Sequence, residues 1–253
     1  MLRYDVSVVE QATQAPTAVE AWLSPEYRSL PNDTGRLHEI RRKLDEEGIV
    51  ELREFLTPEA HELLKRQVLE LESAARSSSA GSHRKYALKA EQLKGTVVGE
   101  LARSHYALEL VNRLLGNFDD AEAWMDPPIR QEELIPGINI MRGPGDVTAY
   151  HFDGAYLNLI FPVVVPQIHG ARRGQLILYP NIRSFRRTLW DRKLVPAIAR
   201  IQHLRRMWKK REVDYRERGV YLFYGYRTLH GVDSPAEPGL RCVTNLTVGA
   251  PRF

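Results

Sequence analysis

Cysteine is almost missing from this chain of 253 residues: Cys242 stands alone. One thiol excludes an intrachain disulfide framework and fits a reducing compartment. Long hydrophobic runs are missing too. The most apolar stretch, Leu157 to Val165, is broken by Asn158 and Pro162, well short of the ~20 residues that span a bilayer. The first ten residues, Met1 to Glu10, lack the basic region and apolar core of a signal peptide, so a cytoplasmic location with no membrane partner is expected. There is no internal repeat and no long low-complexity tract. With 43% hydrophobic and 27% charged residues, the chain reads as folded and globular.

The formal charge is +4, and its distribution is uneven. The segment from Ile182 to Arg218 holds 13 of the 36 Lys and Arg but only 4 of the 32 Asp and Glu, a local charge of +9. The rest of the chain is therefore mildly acidic. Nothing in the basic segment interleaves aromatic and basic residues as a nucleic-acid surface does, so no nucleic-acid partner is expected. Its middle is helical by pattern, with Ile198, Ile201, Leu204 and Trp208 as one apolar stripe. Such a stripe packs on a core and leaves a solvated basic face. Alternatively, the segment is a lid or wall that draws an anionic substrate inward.

The N-terminal part reads as helical. Val6, Val8 and Val9 are candidates for a short strand. Leu37, Ile40 and Leu44 mark a helix over Arg36 to Glu47, stopped by Gly48. Ile49 to Leu56 reads as a short strand. Thr57-Pro58-Glu59 starts a second helix that runs to about Ser73. Ser77 to Ser82 reads as a loop, and a third helix is predicted over Val97 to Leu115. After Asn117 the pattern turns to strands separated by Pro and Gly. They are predicted over Gly137 to Met141, Thr148 to Phe152, Leu157 to Val164, Gln175 to Tyr179, Val220 to Phe223, Thr228 to Val232 and Arg241 to Val248. The fold class is α+β and mainly β, in one domain over 1–253. Its parts are a helical N-terminal part (1–116) bracing a β core (117–253) that carries the helical insertion at 182–218.

One constellation carries chemistry. His151 and Asp153 sit at i and i+2 of a strand or its end, so their side chains share a face. His230 ends the stretch that begins at Phe223. Two histidines and one carboxylate form the facial triad of non-haem Fe(II) and leave coordination positions open for a chelating co-substrate and O2. Arg241 follows His230 after a turn-rich connection. A hairpin there would return the chain beside the histidine strand and aim a guanidinium fork, suited to a distal carboxylate, into the same cavity.

His151-x-Asp153, distal His230 and Arg241, on Gly-punctuated strands after N-terminal helices, resemble the Fe(II)/2-oxoglutarate-dependent oxygenases. The segment Arg36 to Glu72 is similar to the opening of the phytanoyl-CoA-hydroxylase-like and small-molecule branches. Arg173-Gly174-Gln175-Leu176 is similar to that family's Gly-Gly-x-Leu turn, with Arg173 in place of the first glycine. The resemblance implies a double-stranded β-helix (a cupin-like jelly roll) with Fe(II) held by His151, Asp153 and His230. It implies 2-oxoglutarate anchored by Arg241 and oxidised by O2 to succinate and CO2 as a small-molecule substrate, such as an amino acid or biosynthetic intermediate, is oxidised. Halogenating relatives carry Gly or Ala where this chain has Asp153, so the carboxylate argues for hydroxylation, desaturation or ring closure. Many relatives have Ser or Thr two residues after the arginine. Val243 stands there, so another group must help hold the co-substrate, and Asn158 and Asn139 are candidates.

Two other readings stand beside this one. A cupin-type metalloenzyme would not need the dicarboxylate anchor that Arg241 provides. A non-catalytic barrel would bind an anionic partner through the basic segment. Of the other histidines, His38 and His61 read as surface residues on helices, His83 and His169 lie in loops, and His105 and His203 lie in helices. Cys242 reads as core. Trp124, Tyr150, Tyr224 and Tyr226 are candidates for pocket or core.

Overall fold

A computed structural model describes residues 18–78, 85–88, 90–116, 128–166, 174–184, 190–201, 204–235 and 237–249. The expectations for Val6 to Val9, His83, Trp124, His169, Arg173 and His203 lie outside these residues.

Helices come first. α1 is Ala18–Trp22, α2 Pro25–Arg28, α3 Thr34–Glu47 and α4 Pro58–Leu71, with strand β1 at Val50–Leu52 between the last two. Their ends are written in the chain. The Asp33 side chain accepts from Arg36 N at the start of α3, and Gly48 closes that helix at φ 77°. Thr57 Oγ1 accepts from Ala60 N at the start of α4, followed by Pro58. The helix expected over Val97 to Leu115 is two, α5 (Val97–Arg103) and α6 (His105–Leu115). Ser104 breaks it: its backbone is extended (ψ 146°) and its hydroxyl caps α6 at Ala107 N. Arg76–Ser78 (β2) and Lys85–Leu88 (β3) form a hairpin, so the loop expected from Ser77 begins inside a strand.

The remaining strands are β4 (Leu134–Met141), β5 (Thr148–His151), β6 (Leu157–Val164), β7 (Leu176–Tyr179), β8 (Arg211–Val213), β9 (Val220–Phe223), β10 (Leu229–Val232) and β11 (Arg241–Val248). They form two sheets. The larger has the order β1-β9-β6-β11-β4-β3-β2, the smaller β5-β10-β7-β8. Every pairing is antiparallel. β11 lies between β4 and β6 and is paired with β4 over its whole length.

Strand parity sorts the larger sheet into two chemistries. Ile138, Ile140, Leu157, Leu159, Phe161, Cys242, Leu246 and Val248 face the helices and join one core with Leu37, Leu64, Val98 and Leu110. The alternate residues, among them Asn139, Asn158, Arg241 and Asn245, line a cavity between the sheets. Cys242 is buried, and burial pushes its thiol up to about 12. His61, expected at the surface, is 2% exposed. It lies three and seven residues before Leu64 and Val68, on the same buried stripe of α4, and its Nε2 is 3.4 Å from the Pro162 carbonyl. No helix among the described residues is long and apolar enough to cross a membrane.

The basic segment covers the outer face of the smaller sheet. Trp190–Leu194 form a wide helical turn that leads into α7 (Val195–Arg200). Ala199 packs with Ile177, Tyr179 and Leu229, and Trp208 lies against this cluster. The inner face is therefore not the expected stripe: Ile201 is 40% exposed. The helix ends at Arg200, Ile201 is already extended (ψ 106°), and a separate tight turn follows at Leu204–Met207. The stripe expected from 198 to 208 is interrupted by this break.

Candidate metal and co-substrate site

The smaller sheet and the loop that follows β5 carry the candidate metal-ligating side chains. His151 ends β5, and His230 is the second residue of β10, directly opposite it. The register between these strands shifts by one residue, since Val232 pairs with Thr148. This bulge leaves both Thr148 and His151 on the cavity wall. Gly231 makes it possible: a Cβ there would lie 2.9 Å from the Thr148 carbonyl oxygen and 3.1 Å from the Tyr150 ring.

Asp153 sits just past β5, held from both sides. Its backbone N donates to Gly225 O (3.1 Å), and Tyr226 N donates to Ala155 O (2.7 Å). The loop carrying Asp153 is thus stitched to the turn that precedes His230. Gly225 has no room for a side chain, because a Cβ would lie 2.7 Å from Asn158 Nδ2 and 3.0 Å from Asp153 Cβ. Outside this pair of loops, the Arg183 guanidinium lies 3.7 Å from the centre of the Phe152 ring.

The three side chains converge. His151 Nε2 is 3.2 Å from Asp153 Oδ1, and His230 Nε2 is 3.2 Å from Asp153 Oδ2. One potential ligand atom from each residue lies within 4.8 Å of the other two. The opposite ring nitrogens are committed: His151 Nδ1 to the Ala149 carbonyl (2.8 Å) and His230 Nδ1 to the Thr228 carbonyl (3.0 Å). A carbonyl only accepts, so each Nδ1 carries the proton and each neutral imidazole turns a lone pair inward. Two nitrogen lone pairs facing a carboxylate need a cation between them, and the donor set suits a divalent transition metal. Burial opposes the charge on Asp153. When the Nε2 atoms are protonated instead, the charge of His230 and hydrogen bonds from both rings outweigh burial and hold the carboxyl well below the usual carboxylate range.

The larger sheet supplies the opposite wall. Arg241 is 4% exposed. Its Nη1 lies 3.1 Å from Met141 Sδ, and its buried Nη2 has no hydrogen-bond partner among the described residues. An unsatisfied buried guanidinium nitrogen is costly unless an anion meets it. Burial lowers the pKa of Arg241, and neighbouring Tyr215 opposes that. The guanidinium carbon lies 4.9 Å from the centre of the Tyr215 ring. Burial pushes the Tyr215 phenol up to about 12, with Arg241 pulling it down, so the hydroxyl stays a neutral donor. The sequence reading missed Tyr215. It closes the basic segment, two residues past β8, where a lone aromatic carried no pattern.

The cavity of about 320 Å³ is lined by His151, Asp153, His230, Arg241, Asn139 and Asn158 together. All six candidates thus share one space. Asn158 donates through Nδ2 to Asp153 Oδ2. Asn139 Nδ2 donates to Asn245 Oδ1 (3.1 Å), and Asn245 Nδ2 to Thr247 Oγ1 (2.9 Å). The connection expected to be a hairpin is not one. β10 pairs only within the smaller sheet and β11 only within the larger, so His230 and Arg241 face each other across the cavity. Tyr224 and Tyr226 are buried, and Tyr150 packs on the outer face of the smaller sheet.

The fold, two antiparallel sheets facing each other across a cavity, is shared with solved structures of non-heme alpha-ketoglutarate-dependent enzymes. Solved structures with this fold include the epimerase SnoN in complex with Fe3+, alpha-ketoglutarate and nogalamycin RO. It superposes at a TM-score of 0.62 with 16% identity, over 85% of this chain and 83% of that one. The carbocyclase SnoK from nogalamycin biosynthesis gives 0.60 and 17%, over 92% and 86%. A prolyl hydroxylase from Trichoplax adhaerens, bound to a hypoxia inducible factor peptide, gives 0.57 and 16%, over 87% and 92%. No protein-family model matches the sequence, and no curated protein matches it either.

Proposed function

We propose that this chain is an Fe(II)- and 2-oxoglutarate-dependent oxygenase that hydroxylates a small molecule. The observation that carries the proposal is the shared cavity, with an inward-facing His-Asp-His donor set on one wall and a buried, half-partnered guanidinium on the other. His151, Asp153 and His230 would hold the iron, and Arg241 would take the distal carboxylate of 2-oxoglutarate, helped by the Tyr215 hydroxyl. That hydroxyl stands in for the one missing at Val243. When bound, iron supplies activation of O2 coupled to oxidation of 2-oxoglutarate to succinate and CO2.

The chain's own groups do the rest. Ala149 and Thr228 carbonyls fix the imidazole tautomers, and Asn158 keeps one carboxylate oxygen of Asp153 oriented. Ile160, Leu176, Phe223 and Val232 line the cavity between the polar groups and keep water out. Binding of iron and alpha-ketoglutarate by SnoN, a structure of the same fold, supports this reading.

Anaerobic titration of the apoprotein with Fe(II) and 2-oxoglutarate tests it, through the visible charge-transfer band of the chelate. A band that requires both additions and disappears in the Asp153→Ala, His230→Ala double variant is the expected result. Its absence from the wild type would refute the assignment. Product mass then separates reactions: hydroxylation adds one oxygen, ring closure removes two hydrogens, and epimerisation leaves the mass unchanged.

A further inference from the structure

The larger sheet carries a second polar feature on its cavity side, beyond the guanidinium that takes 2-oxoglutarate. Along β11 the cavity-facing residues are Arg241, Val243, Asn245 and Thr247. Their β4 partners in register are Met141, Asn139, Gly137 and Ile135. This strip runs from a closed end to an open one. Arg241 is 4% exposed and Met141 1%, whereas Ile135 is 53% exposed. Thr247 stands six residues from Arg241, about 20 Å at ~3.4 Å per residue. On its other side it pairs with Asn158, the residue that donates to Asp153. 2-Oxoglutarate is no more than about 6 Å between its carboxyl carbons. Gripped by Arg241 at the closed end, it covers only part of the strip. The outer part meets what enters next.

That outer part is built around one side-chain amide. Asn245 Oδ1 accepts from Asn139 Nδ2 (3.1 Å), and Asn245 Nδ2 donates to Thr247 Oγ1 (2.9 Å). Gly137 leaves the space that the amide fills: a Cβ there would lie 2.9 Å from Asn245 Oδ1 and 3.2 Å from Asn245 Nδ2. The amide is thus held on three sides before any ligand arrives, which lowers the ordering cost of binding. The strands do not need it for cohesion, since β4 and β11 are already paired over their whole length. Each amide nitrogen has a second N–H, and each amide oxygen a second lone pair. Asn139 Oδ1 takes no hydrogen bond among the described residues. The row therefore offers a donor edge beside an acceptor edge, both uncharged. A ligand carboxylate would bring oxygen against the Asn139 oxygen. An ammonium would offer nothing to the amide N–H groups. A neutral amide, with a carbonyl and an N–H side by side, answers both edges.

We propose that Asn245, braced by Asn139 and Thr247, binds the substrate and selects one that carries an uncharged amide. This deepens the oxygenase reading and rests on it. Asn245 Nδ2 donates to the substrate carbonyl, and the substrate N–H donates to Asn139 Oδ1. Ile135, at the rim beside Thr247, takes the apolar surface next to that amide. An amino acid would enter as its amide, not as its free carboxylate.

The test is anaerobic calorimetry on the full chain loaded with Fe(II) and 2-oxoglutarate, with loading read from the charge-transfer band. The probes are N-acetylleucinamide, N-acetylprolinamide and N-acetylphenylalaninamide, each beside the matching N-acetyl acid. Saturable binding of at least one amide is expected, about tenfold or more tighter than its acid. Asn245→Asp, which keeps the shape, and Asn245→Ala should each weaken amide binding about tenfold, as loss of a buried hydrogen-bond partner does. The 2-oxoglutarate concentration that half-develops the band should hold in both variants, and circular dichroism checks that they fold. No saturable binding of any amide, equal binding of the acids, or undiminished amide binding by both variants overturns the proposal. So does a shift in the 2-oxoglutarate midpoint in both variants, which would assign the row to the co-substrate. A wild type without the band fails the oxygenase reading itself, whereas a band without amide preference fails this inference alone.

Discussion

The two walls of the cavity are built differently. The larger sheet is centred on three eight-residue strands, β4, β6 and β11, with β4 and β11 paired residue for residue over eight positions. The smaller sheet has strands of three or four residues, one bulge and ligand loops stitched together by single hydrogen bonds. The long wall holds Arg241 by unbroken pairing to β4, with a register shift against β6 confined to Cys242 and Val243. The short wall aims His151, Asp153 and His230 by exceptions to regularity. An anchor for a flexible dicarboxylate needs one fixed charge, whereas three ligands around one ion must meet within tenths of an ångström. The irregular wall is therefore where small substitutions should act on metal, and the regular wall where they should act on co-substrate.

The sharpest break is His230→Ala. It should abolish the charge-transfer band and succinate release, with the fold unchanged by circular dichroism. Arg241→Met comes next. Succinate-release kinetics should show KM for 2-oxoglutarate rising by about a hundredfold, in line with loss of a buried charge-assisted pair, while Fe(II) affinity stays. Tm should hold or rise, because an apolar side chain replaces a buried charge.

Gly231→Ala tests the bulge. Its Cβ would meet the Thr148 carbonyl, so Fe(II) affinity should fall by about tenfold or more, the range seen when ligand orientation is lost. Gly154→Ala, with nothing within 4 Å, should be silent. Asn158→Ala is the expected exception, because Asn158 stands on β6 of the larger sheet but donates to Asp153: it should weaken Fe(II) binding by about tenfold through the freed carboxylate. Tyr215→Phe should have the smallest effect, raising KM for 2-oxoglutarate a few-fold for one hydrogen bond of about 1 kcal/mol. If Gly231→Ala moved KM for 2-oxoglutarate and left Fe(II) binding alone, the division between the walls would fail.

Strands were the most legible part of the sequence because each alternates between a helix-facing and a cavity-facing chemistry. β6, β9 and β11 run over the expected residues. The pairing of His151 with Asp153 was legible because i and i+2 on a strand end is a local relation. Sheet membership was not. Whether Arg241 lies beside His230 or across from it depends on which strands pair, and the turn residues between them permit both. Tyr215 and Gly231 were hidden for a similar reason: their roles come from what a distant strand places against them. His61 could have been found from its spacing to Leu64 and Val68, but its charged neighbours in sequence obscured the stripe.

The parity of β11 has a consequence for how this chain tolerates change in length. Arg241, Val243, Asn245 and Thr247 line the cavity, while Cys242, Leu246 and Val248 face the helices. One residue gained or lost within β11 would exchange the two sets, driving a guanidinium into the apolar core and stripping the cavity of its anchor. The same change in the 233–240 connection would leave both sheets in register. Insertions and deletions should therefore be confined to that crossing, which makes it the natural joint at which the distance between the metal wall and the anchor wall can be altered.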